Sequence, residues 1–313
     1  MKRCIAGLLA LLLAACSEPQ DPPAPDPDIA DPELQLPAGE PVADDFHELR
    51  SRWLELERPT LTPPEPEPLP DVVASPPPAT PTTPAEPQDS TPAVAIIIDD
   101  VGHNLRQGRR LIALPLPVAL AILPQTLAAE QLAREAVAAG RTVLLHQPME
   151  NGAGLSIGPG GMYSGMSRER LQAQLRSNLD SLPGVRGVNN HMGSRLTAER
   201  EPMDWVMQVL RERGLFFIDS RTTAQTQAAI AAGAAGVPHL SRQVFLDNQR
   251  TPQAIGQAFD QALAIARRTG TAVMIGHPYP QTIDYLERRL TEDLPAIEGV
   301  QVVSVEELLG RGG

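Results

Sequence analysis

Two aspartates, Asp99 and Asp100, stand side by side directly after Ile96, Ile97 and Ile98, and Gly102 follows. An unbroken apolar run of that kind predicts a strand buried on both faces. Carboxylates at its end are costly to desolvate unless a cation or hydrogen bonds use them. In parallel sheets and barrels, the carboxyl ends of strands are where ligands bind. Similar groups recur after later apolar runs. His146 and Glu150 fall in His-Gln-Pro-Met-Glu, and Asn189, Asn190, His191 and Ser194 in Asn-Asn-His-Met-Gly-Ser. Asp219, Ser220 and Arg221 are consecutive, Asp247 and Asn248 follow Leu246, and His277 stands in Gly-His-Pro. Half of the chain's 6 histidines therefore sit at expected strand ends beside aspartates. Imidazole and carboxylate are zinc ligands and general acids or bases. The set points to one shared site at the strand ends.

The elements that would position these groups alternate regularly. Apolar runs at 94–98, 118–123, 142–145, 185–189, 215–219, 243–246, 272–275 and 300–303 predict strands. Helical periodicity predicts helices over 105–113, 128–139, 168–181, 201–212, 223–231, 253–267 and 282–290. Gly140, Gly214 and Gly270 stand where helices would stop. Strand and helix alternating about seven times predicts an α/β fold with a parallel (β/α) barrel. A doubly wound open sheet is the alternative.

Charge separates the chain into parts. The formal net charge is −12, while residues 17–92 alone carry 17 acidic and 3 basic side chains. With Lys2 and Arg3 counted apart, residues 93–313 are neutral. No basic stripe suggests nucleic acid as a partner. Residues 17–92 also hold 21 of the 33 prolines, a composition that extends rather than folds. They read as an acidic, disordered spacer. Within it, Phe46, Leu49, Trp53 and Leu56 share one helical face, so a short helix is expected over 46–57. Residues 1–16 read as a signal peptide, with basic Lys2 and Arg3 ahead of an apolar segment over 5–13. Leu13-Ala14-Ala15-Cys16 resembles the lipobox of bacterial lipoproteins. That resemblance implies cleavage before Cys16 and its diacylation. Ser17 next to it leans towards the periplasmic face of the outer membrane. Cys4 would leave with the signal peptide, so the mature chain would have no disulfide.

The ordered motifs Ile-Asp-Asp, His-Gln-Pro-Met-Glu, Asn-Asn-His-Met-Gly-Ser, Asp-Ser-Arg-Thr, Leu-Asp-Asn and Gly-His-Pro resemble the divergent polysaccharide deacetylases. These belong with the carbohydrate esterase 4 type deacetylases, and the resemblance covers roughly residues 93–309. It implies a distorted (β/α)₇ barrel with a divalent metal, usually zinc. The implied reaction removes N-acetyl groups from a sugar polymer such as peptidoglycan. By position in the motifs, Asp99 is the implied general base and Asp100 a metal ligand. His146 is the implied metal histidine and His277 the general acid. The second metal histidine of the wider group is absent at its usual spacing, so Glu150 or His191 must serve, with His191 preferred for its imidazole. An Arg-Pro-Pro-Tyr loop that supports the base elsewhere is also absent, and Arg221 is the expected substitute. Asn190, Ser194, Asp219 and Asp247 are expected to bind substrate or support the site.

The implied chemistry is coherent. Two imidazoles and one carboxylate leave open positions on zinc, which activates water and polarises a carbonyl. Asp99 would take the water's proton, and His277 would supply one to the departing amine. Other features are weaker. Residues 158–162 are expected to form a flexible rim loop, Gly276 to allow close approach, and Trp205 to pack. His103 and His239 have no assigned role. Aromatic residues are few, 3% of the chain, which argues against a long sugar-stacking groove. An alternative function is a non-catalytic envelope protein that binds glycan or a partner protein. Phosphoester hydrolysis is disfavoured by the lack of a phosphate-cradling loop.

Overall fold

In a computed structural model the described residues are 91–292, 296–297 and 299–311. The signal peptide, Cys16, the expected helix over 46–57 and nearly all of the spacer lie outside them. Along the chain run β1 (Ala93–Val101), α1 (Leu105–Ile112), β2 (Val118–Ile122), α2 (Ala129–Ala138), β3 (Val143–Met149) and α3 (Arg168–Asp180). Next come β4 (Val185–Met192), a 3₁₀ turn (Leu196–Ala198), α4 (Arg200–Arg213), β5 (Phe216–Asp219), α5 (Ala228–Ala235), β6 (His239–Ser241) and β7 (Val244–Phe245). The series ends with α6 (Pro252–Thr269), β8 (Thr271–Gly276), α7 (Pro280–Glu292), β9 (Ala296–Ile297), β10 (Val300–Val302) and α8 (Val305–Arg311).

β1 is central. One edge pairs with β8 from Ala93 to Ile98, and the other with β2 from Ile96 onward. Parallel pairing then continues from β2 through β3, β4 and β5 to β6, and from β8 to β7. The free edges, β6 and β7, are separated in sequence by only Arg242 and Gln243. The eight parallel strands therefore curl round and are open along a single seam, as in a distorted (β/α)₇ barrel. The expected strand at 300–303 is not a stave of it. β10 pairs only with Ala93 and Val94 and, antiparallel, with β9.

Alternation along each strand builds two cores. Val94, Ile96 and Ile98 face outward into the shell shared with the helices. Ala93, Ala95 and Ile97 face inward with Ala119, Ala121, Leu144, Phe216, Ile218, Val273 and Ile275. Val305 and Leu308 of α8 join this inner cluster and plug the floor of the barrel. Helices start where side chains can cap them. Ser167 accepts from the Arg170 amide ahead of α3, and Thr251 from the Ala254 amide ahead of α6. The helix expected over 223–231 begins only at Ala228. Its first residues are held as a loop, because the Thr222 hydroxyl donates to the Met192 carbonyl and Thr226 to Asp219.

Candidate metal centre

The same inward alternation places the polar groups. Counting in twos up each strand from the inner cluster, Ile97 leads to Asp99, Leu144 to His146, and Gly187 to Asn189 and His191. Ile218 leads to Ser220, Phe245 to Asp247 and Ile275 to His277. Six strands thus turn polar on their inward faces towards their carboxyl ends. Strict alternation would send Asp100 outward. A register irregularity between Ile98 and Val101 and a left-handed backbone at Asp100, φ 55°, turn it towards the others. A non-glycine residue in that region costs on the order of 1 kcal/mol, and such strain collects at functional sites.

Asp100, His146 and His191 offer one donor atom each, all within 4.8 Å of one another. His191 Nδ1 lies 2.8 Å and His146 Nε2 3.2 Å from Asp100 Oδ1, and the two ring nitrogens are 3.2 Å apart. Zinc–nitrogen bonds of about 2.0–2.1 Å in a tetrahedron imply edges of about 3.3 Å, so this donor set fits such a cation. The His146 and His191 side chains are 2% and 6% exposed against 19% for Asp100, so the cluster opens on its carboxylate side. His146 is fixed from behind. Asn189 donates from its amide nitrogen to Asp99 Oδ1 at 2.7 Å, which leaves Asn189 Oδ1 to accept from His146 Nδ1 at 2.9 Å. His146 Nε2 is thereby the atom turned to the cluster. Burial disfavours the charged form of His146, but the Asp99 and Asp100 carboxylates and Asn189 outweigh it and raise its pKa. A proton there substitutes for the positive charge the site is built to hold.

A second unit stands across the mouth. Asp247 Oδ1 accepts from His277 Nδ1 at 2.8 Å, and Asp247 Oδ2 accepts from the His277 amide at 2.6 Å and the Thr282 hydroxyl at 2.8 Å. This leaves His277 Nε2 facing the site, 3.9 Å from Asp100 Oδ2. Gly276 fits tightly there, because an added Cβ would lie 3.3 Å from Asp247 Oδ2. Buried Asp99 has its second oxygen 3.6 Å from His146 Nε2. Asp99 and His277 therefore flank the three candidate donors.

The remaining sequence candidates hold loops. Glu150 accepts from the Ser164 amide at 2.7 Å and hydroxyl at 2.6 Å, with Arg195 at 3.4 Å. Burial alone would raise the Glu150 pKa, but Ser164 and Arg195 bring it below the ordinary value. Ser194 accepts from the Gly152 amide, and Asn190 joins the Ser220 amide to the Met192 carbonyl. Asp219 faces away from the triad, accepting from the Arg221 amide and Thr226, and its burial raises its pKa. The loop at 158–162, expected to be flexible, is pinned. Met162 bridges Met149, and the Gly160 carbonyl accepts from Gln147 and Asn178. Trp205 packs on the outer core, His103 is exposed and His239 meets the Val237 carbonyl. Arg242 was not singled out from the sequence. Its guanidinium donates to the Ser220 and Arg221 carbonyls, lies 3.7 Å from the Phe245 ring centroid, and acts electrostatically on Asp99. No apolar run announced β6, because Pro238, His239 and Ser241 interrupt it, so nothing in the pattern placed Arg242 at the seam.

The chain is similar to known proteins in sequence and in fold. The family model described as divergent polysaccharide deacetylase matches residues 96–309. An uncharacterized protein of Haemophilus influenzae is 36% identical over 207 residues, covering 65% of this chain and 74% of that protein. The uncharacterized protein YibQ of Escherichia coli K12 is 34% identical over 212 residues, covering 68% and 66%. The crystal structure of an uncharacterized protein of Agrobacterium tumefaciens C58 superposes with a TM-score of 0.65 at 25% identity, covering 71% of this chain and 90% of that one. From the match over 96–309 and these relatives, the chain belongs to the divergent polysaccharide deacetylase family.

Proposed function

We propose that this protein is a metal-dependent hydrolase that removes N-acetyl groups from an envelope polysaccharide such as peptidoglycan. The observation that carries this is the convergence of three metal-type donors with Asp99 on one side and the Asp247–His277 pair on the other. Asp100, His146 and His191 would hold a divalent cation, zinc by the donor chemistry, and such a cation would supply Lewis acidity for activating water and polarising a carbonyl. Asp99, oriented by Asn189, is the carboxylate placed to accept a proton from an attacking water. His277 Nε2 gives a proton to the departing sugar amine, which is a poor leaving group without one. Asp247 accepts from Nδ1 and so keeps Nε2 turned to the site. Asn190 and Ser194 keep the His191 loop in place.

The location proposed is the cell envelope. A diacylated Cys16 would anchor the protein on the periplasmic face of the outer membrane, and residues 17–92 would carry the domain away from it. Among the described residues no helix is long and apolar enough to cross a membrane. The test is acetate release from N-acetylglucosamine oligomers and from peptidoglycan by the full chain. Release that depends on added zinc and stops with Asp99→Asn supports the proposal. Glycan binding without release, unchanged in Asp99→Asn, would instead favour a binding protein on a deacetylase-like barrel.

A further inference from the structure

The barrel domain carries no net formal charge as a whole. On the β5–β8 side three arginines gather. Arg242 lies over Phe245, whose ring stacks on His277 with centroids 6.1 Å apart. Arg250 lies 4.0 Å over Tyr279, whose ring is 5.5 Å from His277. Each is thus one aromatic ring away from the candidate acid. Arg221 is exposed at the end of β5, and its carbonyl accepts from Arg242 Nη2 at 2.9 Å.

Among the described residues, none of these three guanidinium groups makes an ion pair. That contrasts with Arg109, Arg110, Arg176, Arg200 and Arg213, each bound to a carboxylate on the outer helices. Burial, and then the charge of Arg221, bring the Arg242 pKa down to about 10, against a partial counter-pull from Asp219 and Asp99. The two like charges act on each other, and the Asp219 carboxylate that acts on both only partly offsets this at Arg242. A second observation is independent of charge. Arg221 has φ 48°, a left-handed backbone that long side chains rarely adopt. The turn is locked by the Asp219 side chain on the Arg221 amide and by Arg242 on its carbonyl. Strain held in place beside a site points to a side chain that must be presented there.

We propose that the mouth selects glycans whose sugars carry a carboxylate, and that Arg221, backed by Arg242 and Arg250, holds that carboxylate beside the reacting N-acetyl group. Arginine suits this task because its planar fork binds carboxylate bidentately. Arg242 has two of its donors committed to carbonyls, so it acts as a fixed positive plate, and Arg221 is the free fork.

The inference rests on the deacetylation proposed above, and the test separates the two. The full chain with zinc is given two tetrasaccharides. One contains only N-acetylglucosamine. The other alternates it with an N-acetylated sugar bearing a lactyl carboxylate, as in peptide-free peptidoglycan strands. Acetate release is read, and binding is measured separately by calorimetry. Wild type should prefer the carboxylate-bearing glycan by about 10-fold or more, the worth of one charge-assisted hydrogen bond. That preference should weaken with added salt, vanish in Arg221→Gln and survive in part in Arg221→Lys. Equal handling of both glycans by wild type, or equal losses on both in Arg221→Gln, would overturn the inference. If neither glycan releases acetate, deacetylation fails, and binding alone decides. A calorimetric preference lost in Arg221→Gln then upholds the carboxylate site, and no preference overturns it.

Discussion

The floor and the mouth of the barrel are built from the same inward positions of the same strands. At the floor those positions are Ala95, Ile97, Leu144, Ile218 and Ile275, sealed by Val305 and Leu308. Two residues further up they are Asp99, His146, Ser220 and His277. The backbone is regular in one and strained in the other, since Asp100, Met192 and Arg221 all have positive φ at the mouth. The floor supplies apolar burial and rigidity. The mouth holds buried charges that weaken the fold but are fixed in position by Asn189, Asp247 and Asn190. Stability and chemistry are thus separated by one step along each strand.

That separation can be broken or sharpened by substitution. The largest expected effect is Asp99→Asn at the mouth. Loss of the proposed general base should cut kcat/KM for acetate release by about 10²–10⁴-fold. Melting should stay the same or shift upward, because a buried charge is removed. A large drop in melting temperature would blur the line between mouth and floor. Ile97→Ala, two residues below, should do the reverse. It should cost about 2–5 kcal/mol of unfolding free energy in denaturant titration while leaving residual activity per folded molecule unchanged.

Next in size is Asn189→Ala, which frees both His146 and Asp99. Zinc affinity should fall by about 10–100-fold, as when other orienting partners of metal histidines are lost. Affinity equal to wild type would mean the histidine needs no such partner. The smallest effect is expected from Glu150→Gln. Its carboxylate belongs to Ser164 and Arg195, so stability should drop by about 1 kcal/mol with zinc affinity unchanged. A loss of zinc would return Glu150 to the ligand set.

Much of this arrangement was legible in the sequence, because strand cores are written in runs. Ile96–Ile98, the run before His146 and the run before His277 all lie in strands close to where periodicity places them. The clustering of Asp99, Asp100, His146, His191 and His277 follows once those strands are parallel and their ends coincide. The outcome at Asp100 was not legible, because period-two alternation puts it on the outer face and only the irregularity at the end of β1 turns it inward. β3 and β4 also run on to Met149 and Met192, further than apolar character indicates. Polar residues can continue a strand when each inward one has a partner, as His146 has in Asn189. Arg242 escaped notice for a related reason. β6 is 3 residues long and contains His239 and Ser241, so neither length nor composition marks it. The start of α5 was misplaced because Thr222 and Thr226 use their hydroxyls on the loop.

The most direct test of the central claim is the metal content of the purified protein, wild type beside the His146→Ala/His191→Ala double variant, after equilibration with zinc and removal of the excess. About one zinc per chain in wild type, lost in a double variant that still folds, is the predicted result. A wild-type protein that takes up no zinc, or a double variant that retains it, would contradict the assignment of Asp100, His146 and His191 as a metal centre.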